Sequence, residues 1–314
     1  MILVAGSANL DFVVRAPHIP AAGETVLGHD FQTFPGGKGA NQAVACARAG
    51  GASTHMLLAL GLDPFAAPIE ASLRDAGVRL HTVRTAHHPT GTAFICVSDS
   101  AENAITVAPG ANHALRASDL PALGGFSHLL LQLETPLETV TAYAQAARTQ
   151  GVTVVLNAAP ARALPAELLA LVDVLVVNEG ELATLSPQAG SIAQQLERLG
   201  VPCGVVTLGA RGCCARQGGQ WWLQPGFAVD AIDSTAAGDT FCGALAAALS
   251  RRQTLAEALR QASAAGALAC TRLGAQSSIP LRSAVNAFLQ TQPAPNSQQL
   301  EALLQYCGLP RPTA

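Results

Sequence analysis

Four short stretches combine residue types that can bind an anion, hold a cation or admit a ligand close to the backbone. The first is Asp233-Ser234-Thr235-Ala236-Ala237-Gly238-Asp239, which runs straight into the apolar Thr240-Phe241-Cys242-Gly243-Ala244-Leu245. Small residues at a helix start leave the backbone N–H groups open, and such groups bind anions. A carboxylate there is not needed to bind an anion and would repel one, so Asp239 makes sense as a base acting beside a phosphate. A capping Asp, worth about 1 kcal/mol to a helix start, accounts for it equally well on local sequence. The second stretch, Gly36-Gly37-Lys38-Gly39-Ala40-Asn41-Gln42, also opens a helix. It is not a P-loop, because Gly39 stands where Ser or Thr must follow the lysine and Gln32 where the first glycine would be. Bare glycine loops also occur as plain tight turns.

The third stretch is Asn178-Glu179-Gly180-Glu181, directly after an apolar run at 174–177. Ligands bind at the carboxyl ends of strands in open α/β sheets, and amide and carboxylate oxygens there suit Mg²⁺ held through water. A solvated helix start fits the same residues equally well. The fourth is Thr207-Leu208-Gly209-Ala210-Arg211-Gly212, again after a strand, with glycines that permit close approach of a ligand.

The elements that must position these stretches alternate. Strands are expected at 1–5, 56–60, 129–133, 152–156, 174–177 and 203–208. Helices are expected at 40–49, 64–76, 136–149, 165–170, 191–199, 238–249 and 255–271. This order argues an α/β fold with a parallel sheet covered by helices, and continuous Val/Leu runs fit strands buried on both faces. Two regions depart from the pattern. Residues 12–34 alternate without helical spacing, and 90–107 reads as a hairpin around the turn-rich 98–103, so together they are expected to form a small separate β layer. Residues 290–298 read as a linker, and Leu300, Leu303, Leu304 and Cys307 then follow helical spacing up to Gly308 and Pro310. The expected division is a main unit over 1–290 and a linker plus short helix over 291–314.

Composition limits the function classes. The chain has 314 residues, 49% hydrophobic and only 12% charged, about half the usual charged share, which excludes disorder over most of its length. A net charge of −3 gives no electrostatic footprint for nucleic acid, and no polybasic run points to a membrane surface. Arg supplies 17 of the 18 basic residues, so Lys38, inside the glycine loop, is the single lysine. Codon bias with one chance survivor would produce the same count. None of the eight cysteines forms a C-x-x-C pair. With no leader-like start and no apolar run of about 18 residues, the expectation is a soluble protein of a reducing cytoplasm.

Taken jointly, the motifs resemble the ribokinase-like family of carbohydrate and purine kinases. Its two signatures correspond to residues 36–50 and 233–246. Further matching segments are Gly6-Ser7-Ala8-Asn9-Leu10-Asp11, Gly23-Glu24-Thr25, Gln132-Leu133-Glu134-Thr135-Pro136-Leu137-Glu138, Asn157-Ala158-Ala159-Pro160-Ala161 and Gly274-Ala275-Gln276-Ser277-Ser278-Ile279-Pro280. They keep the family's order over about residues 1–290. The resemblance implies a three-layer fold, a mostly parallel central sheet with helices on both faces, and a small β-sheet lid drawn from about 12–34 and 90–107. It implies ATP-dependent phosphorylation of D-ribose at O5. The sugar would be held by Asn9, Asp11, Gly37, Lys38, Gly39, Asn41 and Glu134, and ATP would lie along Asn178, Thr207, Gly209, Gly212 and Gly238. Asp239 would be the base, touching both substrates, with Ala237 and Gly238 in the anion hole. Mg²⁺ would accompany ATP, with Asn178 and Glu181 in its outer shell. An activating K⁺ would fall at Asp233, Thr235, Ala269, Arg272, Gly274 and Ser278. The lid would pair two subunits into a homodimer, with no nucleic-acid or membrane partner.

Two positions depart from the family pattern: Ser234 stands where Thr is usual, and Ala66 where glycine is common. Other readings of the same residues are a kinase for 2-deoxyribose, another sugar or a nucleoside, and a non-catalytic sugar-binding protein on the same fold. Retention of Asp239 counts against the last. A nicotinamide-dependent enzyme is disfavoured because no G-x-G-x-x-G follows the first strand.

Overall fold

A computed structural model describes residues 1–100 and 102–310. The chain opens with β1 (Ile2–Ala5), β2 (Asn9–Ala16), β3 (His29–Gly36) and α1 (Lys38–Arg48). It continues through β4 (Thr54–Gly61), α2 (Ala66–Asp75), β5 (Arg79–Thr85), β6 (Gly91–Ser98) and β7 (Asn103–Ala108). Then follow β8 (His128–Leu131), α3 (Leu137–Thr149), β9 (Thr153–Asn157), α4 (Ala166–Leu169), β10 (Val174–Asn178), α5 (Glu179–Leu185) and α6 (Ile192–Arg198). The last third holds β11 (Cys203–Thr207), β12 (Gly212–Gln217), β13 (Gln220–Pro225), α7 (Ala237–Ser250), α8 (Leu255–Ala269), α9 (Arg282–Thr291) and α10 (Ser297–Cys307).

Among the described residues the main sheet has nine strands in the order β13-β12-β11-β10-β9-β8-β1-β4-β5. It is parallel from β11 through β5, and β12 and β13 add an antiparallel edge. Successive side chains of a strand point to opposite faces, so each apolar strand feeds two cores. Ile2 and Val4 join one core with α1, α2, α7 and α8, while Leu3 and Ala5 join the other with α3 and α10. These are the three layers expected.

Not every element was expected. The β12–β13 hairpin turns on Gly218 and Gly219, both at positive φ (56° and 83°), the backbone state that two-residue hairpin turns require. That Gly-Gly pair, set between the apolar runs 213–215 and 221–223, was the available signal. Edge strand β5 and helix α9 also went unread, since each mixes polar residues into a short run.

The second sheet, in the order β3-β2-β6-β7, has β2 and β6 parallel and the outer pairs antiparallel. It is the expected small β layer, and β7 is exposed along its whole length. Ala101, within the expected turn, lies outside the described residues.

At the C-terminal end, Asn296 caps α10 by accepting from Gln299 N at 2.8 Å, and Leu303 and Cys307 are buried in the second core. The connection between α9 and α10 is confined to 292–296. The last four residues of the expected tail, 311–314, lie outside the described residues.

One packing feature sets up the site. Helices α1 and α7 cross through small residues. A Cβ added to Gly243 of α7 would lie 2.5 Å from Ala45 Cβ and 2.6 Å from Gln42 O of α1. The Ala- and Gly-rich composition of both helices is what allows this approach.

Candidate active site

The site residues collect at the carboxyl ends of the parallel strands. Ser7 follows β1, Gln132 follows β8, and Asn157, Asn178 and Thr207 end β9, β10 and β11. The chain leaves β1 toward β4 on one side and later returns to β8 on the other. That reversal opens a crevice in which ligands of such sheets bind.

Helix α7 begins in this crevice. Its N-cap, Ala236, is in the left-handed region at φ 58°, and no side chain caps the helix. First-turn amides have no intrahelical carbonyl to reach. Ala237 N donates to Ser234 O at 3.2 Å, and Gly238 presents no side chain that would cover the amides after it. Asp239 is therefore not the capping residue. It is 7% exposed, and its two oxygens are held by α1. Asn41 Nδ2 donates to Oδ2 at 3.0 Å and Gln42 Nε2 to Oδ1 at 2.9 Å. Gln42 is itself fixed: Gln132 Nε2 donates to its Oε1 at 2.7 Å, and its Nε2 also reaches Asn157 Oδ1 at 3.0 Å. Asn157 Nδ2 donates to Val176 O at 3.2 Å. Asn41 Oδ1, Thr240 Oγ1 and Gln132 Oε1 are buried without a partner.

The glycine loop lies against the start of β2. Gly37 has φ 87°, and a Cβ there would stand 2.8 Å from Asn9 N; one on Gly39 would stand 2.6 Å from Ser7 N. Glycine is needed for these two backbone approaches, so the loop is more than a turn. The Lys38 and Gly39 amides then reach Glu134 Oε2 (3.1 Å) and Ser7 Oγ (3.2 Å), and the Ser7 hydroxyl donates to Glu134 Oε2 at 2.5 Å. Asp239, with Glu134 and Glu181, holds the Lys38 ammonium above its ordinary pKa.

Asn112 Nδ2 donates to Asn9 Oδ1 at 2.7 Å, and Asn112 Oδ1 accepts from Ala8 N at 2.9 Å. The Asp11 carboxyl packs directly against the Gly36 backbone. Burial, then the charges of Glu134 and Asp239, push it up to about 7.

A cavity of about 220 Å³ opens beside these groups. Lys38, Asn178, Glu181, Thr207, Gly238 and Asp239 line it. Asn178 and Glu181 also form a reciprocal cap of α5. Glu181 N donates to Asn178 Oδ1 at 2.8 Å, and Asn178 N and Nδ2 donate to the Glu181 carboxylate at 2.8 and 2.9 Å. Burial raises the Glu181 pKa. Past β11, Gly209 (φ 57°) has open space where a side chain would be, whereas the close neighbour of Gly212 (φ 109°) is its own chain at Gln224–Gly226.

The expected cation residues converge in part. Asp233 Oδ1 accepts from Thr235 N (2.9 Å) and Thr235 Oγ1 (2.6 Å), and Oδ2 accepts from Gly274 N (2.9 Å). Ala269, which ends α8, accepts from Arg272 N at 3.3 Å, and buried Ser278 donates to Ala275 O at 2.8 Å within its own turn. Among the described residues no group of three or more His, Cys, Asp or Glu is placed to hold a metal.

Ser7, Gln42, Asn112, Gln132 and Asn157 were given no role from sequence. The available signal was polarity out of place, as in Gln132 after Leu129-Leu130-Leu131, because a buried amide must find partners.

This geometry offers a buried carboxylate at a helix start that no side chain caps, one ammonium and a cavity. The model of the pfkB family carbohydrate kinases matches residues 1–282. The chain belongs to that family. Its similarity to a ribokinase from Haemophilus influenzae is 40% identity over 302 residues, covering 92% of this chain and 98% of the relative. A ribokinase structure from Thermotoga maritima superposes with a TM-score of 0.86 at 37% identity, covering 92% of this chain and 99% of that one. An Arabidopsis thaliana ribokinase complexed with ribose and ATP gives 0.86 at 33% identity, covering 93% and 99%. The pfkB family assignment makes this chain a carbohydrate kinase. Its catalytic problem is thus phosphoryl transfer, in which positioning and charge stabilisation dominate.

Proposed function

We propose that this kinase transfers the γ-phosphoryl group of ATP to O5 of D-ribose, giving D-ribose 5-phosphate. The observation that carries the reading is Asp239, buried at the open start of α7 with both oxygens held by Asn41 and Gln42. Asp239 accepts the proton of the attacking hydroxyl, and the amides of Ala237, Gly238 and Asp239 stabilise charge on the moving phosphoryl group. Asn9, Asp11, Glu134 and the loop of Gly37, Lys38, Gly39 and Asn41 bind the sugar hydroxyls. The unpartnered Asn41 Oδ1 supplies an acceptor there. ATP lies along Asn178, Thr207, Gly209, Gly212 and Gly238, with Lys38 and Asp239 where the two substrates meet. Relatives named as ribokinases, one of them complexed with ribose and ATP, support the same substrates.

The donor set fits Mg²⁺ carried by the nucleotide. Glu181 is buried beside the cavity with its charge disfavoured, and a cation nearby relieves that cost. Asn178 and Glu181 would hold it through water, and Mg²⁺ would neutralise phosphate charge. For a monovalent cation, the Asp233 carboxylate with Thr235 and Gly274 forms an oxygen-bearing loop next to the α7 start, and Ala269, Arg272 and Ser278 complete the set. The exposed Phe31, Phe94, Ile105 and Val107 of the small sheet support its role as a lid that pairs two copies. No helix among the described residues is long and apolar enough to cross a membrane. The eight unpaired cysteines support a reducing cytoplasm.

A coupled assay with ribose, 2-deoxyribose, fructose and adenosine tests the substrate. The fastest turnover is expected with ribose. Asp239→Asn should keep ATP binding and lower turnover by about two to four orders of magnitude. Near-normal turnover of that variant would remove the base from the mechanism.

A further inference from the structure

Helix α10 lies beyond the stretch matched by the family model, which ends at 282. It is nonetheless anchored at the nucleotide side. Leu303 and Cys307 are buried in the core that also holds Leu182 of α5 and Cys214 of β12. Tyr306, directly before the second of these anchors, makes two contacts. Its hydroxyl donates to Glu179 Oε1 at 2.5 Å, and the Arg211 guanidinium lies over its ring, 4.3 Å from the centroid.

Those two partners come from the two walls of the nucleotide cleft. Asn178 and Thr207 pair in register on β10 and β11, and both line the cavity. Glu179 is the next residue after Asn178. Arg211 ends the short turn Gly209–Arg211 that follows Thr207. The turn's backbone is held locally: Leu208 N donates to Gly212 O at 2.8 Å, Arg211 N to Leu208 O at 3.2 Å, Gly212 N to Gly209 O, and Gly226 N to Arg211 O at 2.9 Å. Gly209 is left-handed with open space around it. To these local bonds α10 adds a side-chain contact from outside the turn, the Tyr306 ring under Arg211.

We infer that Tyr306 is a positioning residue that ties the rims of the nucleotide cleft together and so sets the affinity for ATP. It touches no substrate itself. By holding Arg211 it keeps the Gly209 turn in one arrangement, which lowers the ordering cost when nucleotide binds. By donating to Glu179 it holds that carboxylate in place, so its charge is not free to move toward the triphosphate. The inference rests on ATP lying along Asn178, Thr207 and Gly209, as proposed above.

The test uses the full chain and compares wild type, Tyr306→Phe and Tyr306→Ala. The Ala variant should raise KM for ATP by about three- to tenfold, the scale on which an exposed cation–π contact and one hydrogen bond act. The Phe variant keeps the ring under Arg211 and should fall between Ala and wild type. KM for ribose and kcat should stay within about twofold, because neither contact reaches the sugar or the reacting atoms. Unchanged KM for ATP in the Ala variant overturns the inference, as does an equal rise in both KM values with a matching loss of thermal stability. Calorimetry of wild type with an ATP analogue separates the two levels of the reading. If wild type binds no nucleotide, the nucleotide site itself is misassigned and the inference falls with it.

Discussion

Gly243→Ala probes how α1 and α7 together place Asp239. Asp239 and Gly243 are four residues apart and share a face of α7. A methyl at Gly243 would meet Ala45 Cβ at 2.5 Å, Gln42 O at 2.6 Å and Cys46 N at 2.8 Å. Two of those three are backbone atoms, so rotating a side chain cannot relieve them. Restoring ordinary carbon contacts needs the helices to part by about 1 Å. The bonds from Asn41 and Gln42 to Asp239, now 3.0 and 2.9 Å, would stretch beyond hydrogen-bonding range. Displacement of a catalytic group on that scale costs up to about 100-fold in turnover. Stability should change far less. Overpacking costs about 1–3 kcal/mol, of which replacing a mid-helix glycine by alanine returns about 1 kcal/mol. The assay pairs steady-state kinetics on ribose with a thermal melt. The expected result is turnover down by about ten- to a hundredfold with a melting temperature only a few degrees lower. Adding Ala45→Gly removes the Cβ contact but not the backbone ones, so rescue should be partial. Wild-type turnover in Gly243→Ala, or loss that tracks unfolding, would refute the argument.

Two further outcomes follow from the site's charges. The Asp11 carboxyl, pushed up to about 7 in the folded protein from an ordinary 3.8, makes the folded state bind more protons than the unfolded one between those values. Stability of the sugar-free protein should therefore fall as pH rises from about 4 to 7 and level off above. The loss is roughly 4 kcal/mol at most, at about 1.4 kcal/mol for each tenfold change in proton affinity. Asp11→Asn should flatten that decline in melts at pH 5 and 8, and identical profiles for the two proteins would count against it. Turnover should rise when K⁺ replaces a large organic cation at fixed ionic strength, and Asp233→Ala should abolish the response. An equal rate in a K⁺-free organic salt would sink the cation assignment.

The alternation of Val-rich strands and Ala-rich helices made the layers legible, because strands buried on both faces and helices with small faces leave periodic marks. Lys38 and Asp239 stood out for a different reason: each is a charged residue in a run of small residues, although a helix cap or a chance lysine would leave the same mark in the sequence. What escaped was whatever depends on distance along the chain. Gln42 reaches Gln132 across 90 residues, Asn157 across 115 and Asp239 across 197. No spacing rule connects amides so far apart. Only the fold brings them to one strand edge. Gly212 carries a second such long-range reason: the space a Cβ would fill there is taken by its own chain at Gln224–Gly226.

The two choices that local sequence left even come out differently, and the difference is physical. At α7 the cap position is Ala236, and the Asp239 oxygens are bound by another helix. Capping does not explain that carboxylate. At α5 the cap is real: Asn178 and Glu181 satisfy each other's backbone groups. The same pair lines the cavity, and Glu181 is buried where its charge is disfavoured. A cap alone gives no reason to bury that charge, since a reciprocal cap works as well at the surface, as Thr254 and Glu257 do at α8. A carboxylate becomes informative when its burial exceeds what its local hydrogen bonds need. By that criterion Asp239, Glu181 and Asp11 mark one region of the crevice, from the start of β2 to the start of α5. Glu257, with the same capping geometry, marks nothing.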